Sequence, residues 1–208
     1  MKGSLLFVGM FVLGAVVGLL LDRWQLPTGN DLTIYVLYLL MFLVGLSIGC
    51  DKKLKDILRS IRPQLLLVPL ATIVGTLLFS AAVSLLLSQR TVAECLAIGS
   101  GFAYYSLSSI LITELKTATV GVQLAAELGT IALMSNIMRE VFALLGAPLF
   151  VKYFGRLAPI CAGGATTMDT TLPVITRYAG KDLVFVAILH GILVDLSVPF
   201  LVTFFCSL

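Results

Sequence analysis

Apolar residues in this chain come in long runs, not in the alternation of a strand or the single stripe of an amphipathic helix. Residues 4–21, 32–50, 64–87 and 183–208 are each almost unbroken apolar stretches, and about 20 such residues cross the hydrocarbon core of a bilayer as a helix. Residues 120–150 form a fifth run, longer than one span requires and interrupted by the polar segment SNIMRE. Two more stretches, residues 93–115 and 158–177, are hydrophobic enough to enter a membrane but rich in Gly, Ser and Thr. Helix breaks are expected there, because Gly and Pro free backbone groups that only a protein interior or a wet cavity can satisfy. The pattern predicts an all-α polytopic membrane protein with about five full transmembrane helices and two interrupted, re-entrant segments. It divides the chain into a three-helix unit over residues 1–90 and two further units, 91–156 and 157–208, each an interrupted segment followed by a full helix.

Laid over each other with an offset of 63 positions, the interrupted segments match at Gly101 and Gly164, Ile112 and Ile175, and Thr113 and Thr176, with Ser106 falling on Asp169 and Glu127 on His190. Loop charge agrees with inverted halves. If each interrupted segment enters and leaves on one face, Lys2, Lys52, Lys53, Lys55, Arg59, Arg62, Lys152, Arg156, Arg177 and Lys181 share a side, and only Arg23, Arg90 and Lys116 lie opposite. The positive-inside rule then puts the N-terminus in the cytoplasm and the C-terminus outside. The run 4–21 is followed by no small-residue cleavage site and is read as a first spanning helix, not a signal peptide.

Composition narrows the class further. With 59% hydrophobic and 12% charged residues among 208, the chain is a bilayer protein. A net charge of +3, scattered among loops, gives no nucleic-acid surface. Cys50, Cys95, Cys161 and Cys206 are far apart and form no ligand spacing, so no metal is expected. No phosphate-binding Gly-rich loop, HExxH or GxSxG is present, so neither an enzyme nor a cofactor is expected.

Candidate chemistry lies in the polar interruptions. Asp169, in GGATTMDTTLP, has no Lys or Arg nearby before Arg177, and a carboxylate at a helix centre costs roughly 2.5–3.5 kcal/mol to insert. It is expected to face a wet cavity, a partner or a ligand, with Gly164, Thr167 and Thr170 shaping the break. Asn136 and Glu140, four apart, share a helix face, whereas Arg139 points about 100° away from Glu140. In the first interruption Gly101, Tyr105 and Ser106 offer polar groups without charge. Asp195 and His190 lie in the last run; the histidine is read either as a proton relay or as a satisfied packing residue, the second being the plainer reading. The basic stretch CDKKLKDILRSIRP is read as a topology signal resting on anionic lipid headgroups.

The blocks SGFAYYSLSSILITE, NIMREVFALLGAP and GGATTMDTTLPVITR, followed by GKDLVFVAILHGIL and SVPFL, resemble the LysO family of bacterial lysine exporters. The resemblance implies an inner-membrane exporter of L-lysine and toxic analogues such as thialysine. Intramembrane acids important to the family match Glu140 and Asp169. The resemblance also implies that a cationic amino acid presents its ammonium groups to this pair while its carboxylate meets amides at a broken helix. With no ATP site, the expected drive is exchange with protons. Longer members carry an additional N-terminal hydrophobic unit before the segment that matches Met1 onward, so a separate small membrane protein, or a second copy of the chain, is expected to complete the assembly.

Overall fold

The computed structural model describes residues 63–87 and 89–208, together with the single positions Val17, Tyr35, Leu39, Phe42 and Leu46. The expected spans 4–21 and 32–50 and the basic stretch between residues 50 and 63 lie, apart from those single positions, outside the described residues. The chain divides into two compact units, Met1–Cys50 and Asp51–Leu208. In the first, Tyr35, Leu39, Phe42 and Leu46 are helical and exposed, at the four-three-four spacing of one helix face. Everything below concerns the second unit.

Its described residues are helical apart from short turns and connecting residues. Helix α1 (Pro63–Ser84) is followed by α2 (Val92–Gly99), α3 (Tyr105–Val120) and a long α4 (Val122–Phe154). After these come α5 (Ala158–Gly163), a 3-10 turn (Gly164–Met168), α6 (Leu172–Tyr178) and α7 (Val184–Cys206). Three helical stretches are long and apolar enough to cross a membrane: Leu65–Ser84, Val122–Phe154 and Lys181–Cys206. They correspond to three of the five expected spans.

Local chemistry sets the boundaries. The side chain of Thr91 caps α2 by accepting from Glu94 N–H, and Glu94 returns the bond to Thr91 N–H; this reciprocal pair satisfies two donors that a helix start leaves orphaned. Gly121, at φ 85°, ends α3 and begins α4 in one residue, so the two helices form a tight antiparallel pair. Gly155, at φ 90°, ends α4 in the same way.

Both interrupted segments turn back to the end of α4 from which they start. Arg90, just before α2, pairs with Glu127 near the start of α4. Gly101 then packs on Asn136, well along α4, and Thr113 of α3 has returned to Gly129. The second segment approaches from the other end. Arg156, just beyond α4, bonds Ala179 O at 2.6 Å and pairs with Asp182, while between them Ala162 and Thr170 reach Arg139 and Glu140. α1 and α7 both run opposite to α4, and α7 packs against α2, α3 and the 3-10 turn.

The packing is that of a membrane bundle. α4 turns Ala125, Gly129, Ala132, Ala143 and Ala147 inward, small residues that let backbones approach closely. Leu67, Leu78, Phe79, Phe142, Leu145 and Phe200 stay exposed, as suits side chains whose solvent is lipid.

Candidate functional site

The two interruptions meet at the middle of α4. Ala165 N–H donates to Phe102 O at 2.8 Å, and a methyl group added to Gly164, itself at φ 62°, would run into that same carbonyl. Only glycine fits, for space and for backbone angle. On the other side Phe102 and Ala103 hold left-handed angles, φ 43° and 73°, which cost non-glycine residues about 1 kcal/mol or more each. That conformation is imposed from outside the segment.

Asn136 imposes it. Its side-chain oxygen accepts from Ala103 N–H at 2.7 Å, and its amide donates to Ala132 O at 2.8 Å and Ser108 Oγ at 3.3 Å. Asn136, expected on one helix face with Glu140, is 3% exposed, and its amide is spent on the first tip. Gly101 is the residue that makes room for it, since a methyl group there would strike the Asn136 amide.

Arg139 does the corresponding work for the second tip. Its guanidinium donates to Ala162 O at 3.0 Å, Cys161 O at 3.1 Å and Thr76 Oγ1 of α1 at 3.2 Å, and it lies 5.7 Å from the centre of the Phe102 ring. It satisfies carbonyls that the end of α5 would leave orphaned.

Glu140 and Asp169 are brought together through Thr170. The hydroxyl of Thr170 donates to Glu140 Oε1 at 2.6 Å, while its backbone N–H donates to Asp169 Oδ1 at 2.5 Å. Asp169 is exposed on the surface of this unit. Asp195 of α7 is buried, 5% exposed, and no hydrogen bond reaches its carboxylate among the described residues. It lies within range of the Asp169 charge, and the Tyr104 hydroxyl lies within range of both. Tyr105 and Ser106 are exposed in the first turn of α3. That helix has no side-chain cap, and its first intrahelical bond runs from Ser108 N–H to Tyr104 O, leaving the amides of residues 105–107 open.

His190 faces away from the acids. Its Nε2 is 2.9 Å from Thr72 Oγ1 and its Nδ1 is 3.1 Å from Thr167 Oγ1, and it is fully buried. The Thr167 hydroxyl also has Gly164 O and Ala187 O within reach as acceptors, at 2.8 and 2.9 Å, so the histidine locks the second tip between α1 and α7. Of the residues expected from sequence, Glu140, Asp169 and Thr170 are linked by hydrogen bonds, and Asp195 lies within range of the Asp169 charge. Asn136, Gly101, Gly164, Thr167 and His190 build the scaffold behind it. Phe102 and Thr72 were not singled out, and Arg139 was considered only for its direction relative to Glu140; it was legible as a cation far from either end of a membrane-length run.

Comparison with known proteins follows this geometry. The sequence pattern of the family described as "Lysine exporter LysO" matches residues 8–206. The chain is 32% identical over 205 residues to the "Lysine exporter LysO" of Escherichia coli strain K12, covering 98% of this chain and 64% of that protein. It is also 32% identical over 200 residues to a Haemophilus influenzae protein provisionally named as a lysine exporter, covering 94% of each. No solved structure matches.

Proposed function

The chain belongs to the LysO family of lysine exporters, and from that membership we propose that it exports L-lysine, with analogues such as thialysine, across the bacterial inner membrane in exchange for protons. The observation that carries the reading is the Thr170 bridge between Glu140 and Asp169, with Asp195 close by, at the meeting point of the two tips. Three carboxylates around one polar break suit the ammonium groups of a cationic amino acid. The open amides at the start of α3, at the positive end of its dipole, suit its carboxylate. Protons and substrate compete for the same oxygens, so release of one follows arrival of the other.

The two halves are read as an inverted repeat. The bond between the tips joins Phe102 to Ala165, which are equivalent positions at the offset of 63. Alternating access would then come from movement of one half against the other about that joint. The end of α4 near Arg156 is assigned to the cytoplasm, and the end near Arg90 to the outside.

The test is efflux of labelled lysine from proteoliposomes with and without a pH gradient, for wild type, Glu140→Gln and Asp169→Asn. A fall of at least tenfold in both variants is expected. Wild-type rates in both would remove the acids from the site, and wild-type efflux indifferent to the gradient would remove proton exchange.

A further inference from the structure

Behind the tips, on the side away from the acid cluster, a groove of about 700 Å³ runs between α1, α2, α4 and α5. Its wall on α1 has a regular pattern. Between residues 65 and 84 the only polar side chains of that helix are Thr72, Thr76, Ser80 and Ser84, spaced every fourth residue and so aligned on one face. The first three line the groove. Thr72 bonds His190, Thr76 bonds Arg139, and Ser80 packs against Gly99, where a methyl group would not fit. Hydroxyls placed only for packing have no need to keep to one line.

Among the described residues Arg139 is the sole charged one in the groove's lining. Three of its five N–H groups are used, on Ala162, Cys161 and Thr76. Among the described residues no carboxylate pairs with it; the ion pairs there are Arg90 with Glu127 and Arg156 with Asp182. A guanidinium at the middle of a membrane-length helix, without an acidic partner, is costly unless an anion meets it. The groove extends from Thr72, beside the second tip, along α1 to Val83 and Leu87, toward the end of α4 where Arg90 sits.

We propose that Arg139 and the hydroxyl line of Thr72, Thr76 and Ser80 form a second station on the export path, which receives the carboxylate of the amino acid after it has passed the acid cluster. This rests on the exporter reading and adds to it a basis for specificity: the acids recognise the ammonium groups, and the groove tells an amino acid from a plain diamine. A substrate lacking the carboxylate, such as cadaverine or lysinamide, reaches the acids but gains nothing from the groove.

Two measurements test this. In proteoliposomes, Thr76→Val raises the KM for lysine roughly tenfold, the effect of losing a hydrogen bond that orients a charged partner, and leaves the KM for lysinamide unchanged. Equal shifts for both substrates, or none for either, would overturn the proposal. Ser80→Cys, with the native cysteines replaced, supplies a readout independent of transport: a water-soluble thiol reagent modifies it, and lysine protects it while cadaverine at the same concentration does not. Protection by both, or a cysteine silent to the reagent because lipid fills the groove, would sink the groove. Lysine protection without any lysine efflux by wild type would sink the exporter reading alone.

Discussion

The carbonyl of Phe102 accepts a hydrogen bond from the N–H of Ala165 at 2.8 Å, so two chain interruptions that enter from opposite ends of one helix are stitched tip to tip. Neither tip is regular structure. Each needs a side chain from α4 to hold it, Asn136 for the first and Arg139 for the second.

Gly164 is where that stitch is most sensitive. Gly164→Ala places a methyl group against Phe102 O and forces a left-handed angle, which alone costs about 1 kcal/mol. A drop of several degrees in the unfolding midpoint of the purified protein in detergent is expected, together with lost efflux. An unchanged midpoint would mean that the tips do not meet.

Asn136→Leu keeps the volume roughly constant and orphans the Ala103 N–H, a loss of about 1–3 kcal/mol. Asn136→Asp keeps an acceptor for Ala103 but forfeits the bonds to Ala132 O and Ser108. Both variants are expected to lower thermal stability, while efflux by whatever protein remains folded keeps the wild-type KM. A raised KM at full stability would return Asn136 to the substrate site.

His190→Gln tests whether the histidine carries protons. Its two hydroxyl neighbours have other acceptors, Val68 O for Thr72 and Gly164 O and Ala187 O for Thr167, so losing the ring orphans neither. Efflux within about twofold of wild type, with an unaltered response to a pH gradient, is expected. Loss of that response in a stable protein would make His190 part of the proton path.

Thiol labelling checks the opposed entry of the two segments. With the native cysteines replaced, Arg90→Cys and Thr119→Cys are expected to react with an impermeant reagent from outside intact cells. Lys152→Cys and Lys181→Cys are expected to react only after the cells are opened. A split within either pair would show that its segment crosses the membrane.

The run-length pattern located the three described spans and both interruptions, since apolar length and Gly-Pro punctuation are properties of the local sequence. Which of the acids is exposed and which buried was not legible, because exposure of a tip residue such as Asp169 depends on how the segment folds back and not on its neighbours in sequence. Asn136 and Glu140 do share a stretch of α4, but the amide is spent on Ala103, a residue 33 positions earlier, and no local signal announces that. The left-handed angles at Phe102 and Ala103 carry no residue-type signature at all. The line of Thr72, Thr76, Ser80 and Ser84, by contrast, was readable as a four-residue period inside a run that greasiness alone had classified as a plain span.

Asn136 and Arg139 lie three residues apart on α4, within a single turn, and grip opposite tips. α4 therefore behaves as a shared axle. Twisting it drags both tips at once, and the seam between them has a single backbone hydrogen bond among the described residues to resist, worth about 0.5–1.5 kcal/mol net. The first tip takes one hydrogen bond from the axle through Asn136 and the second takes two through Arg139, so a movement of α4 is carried to both.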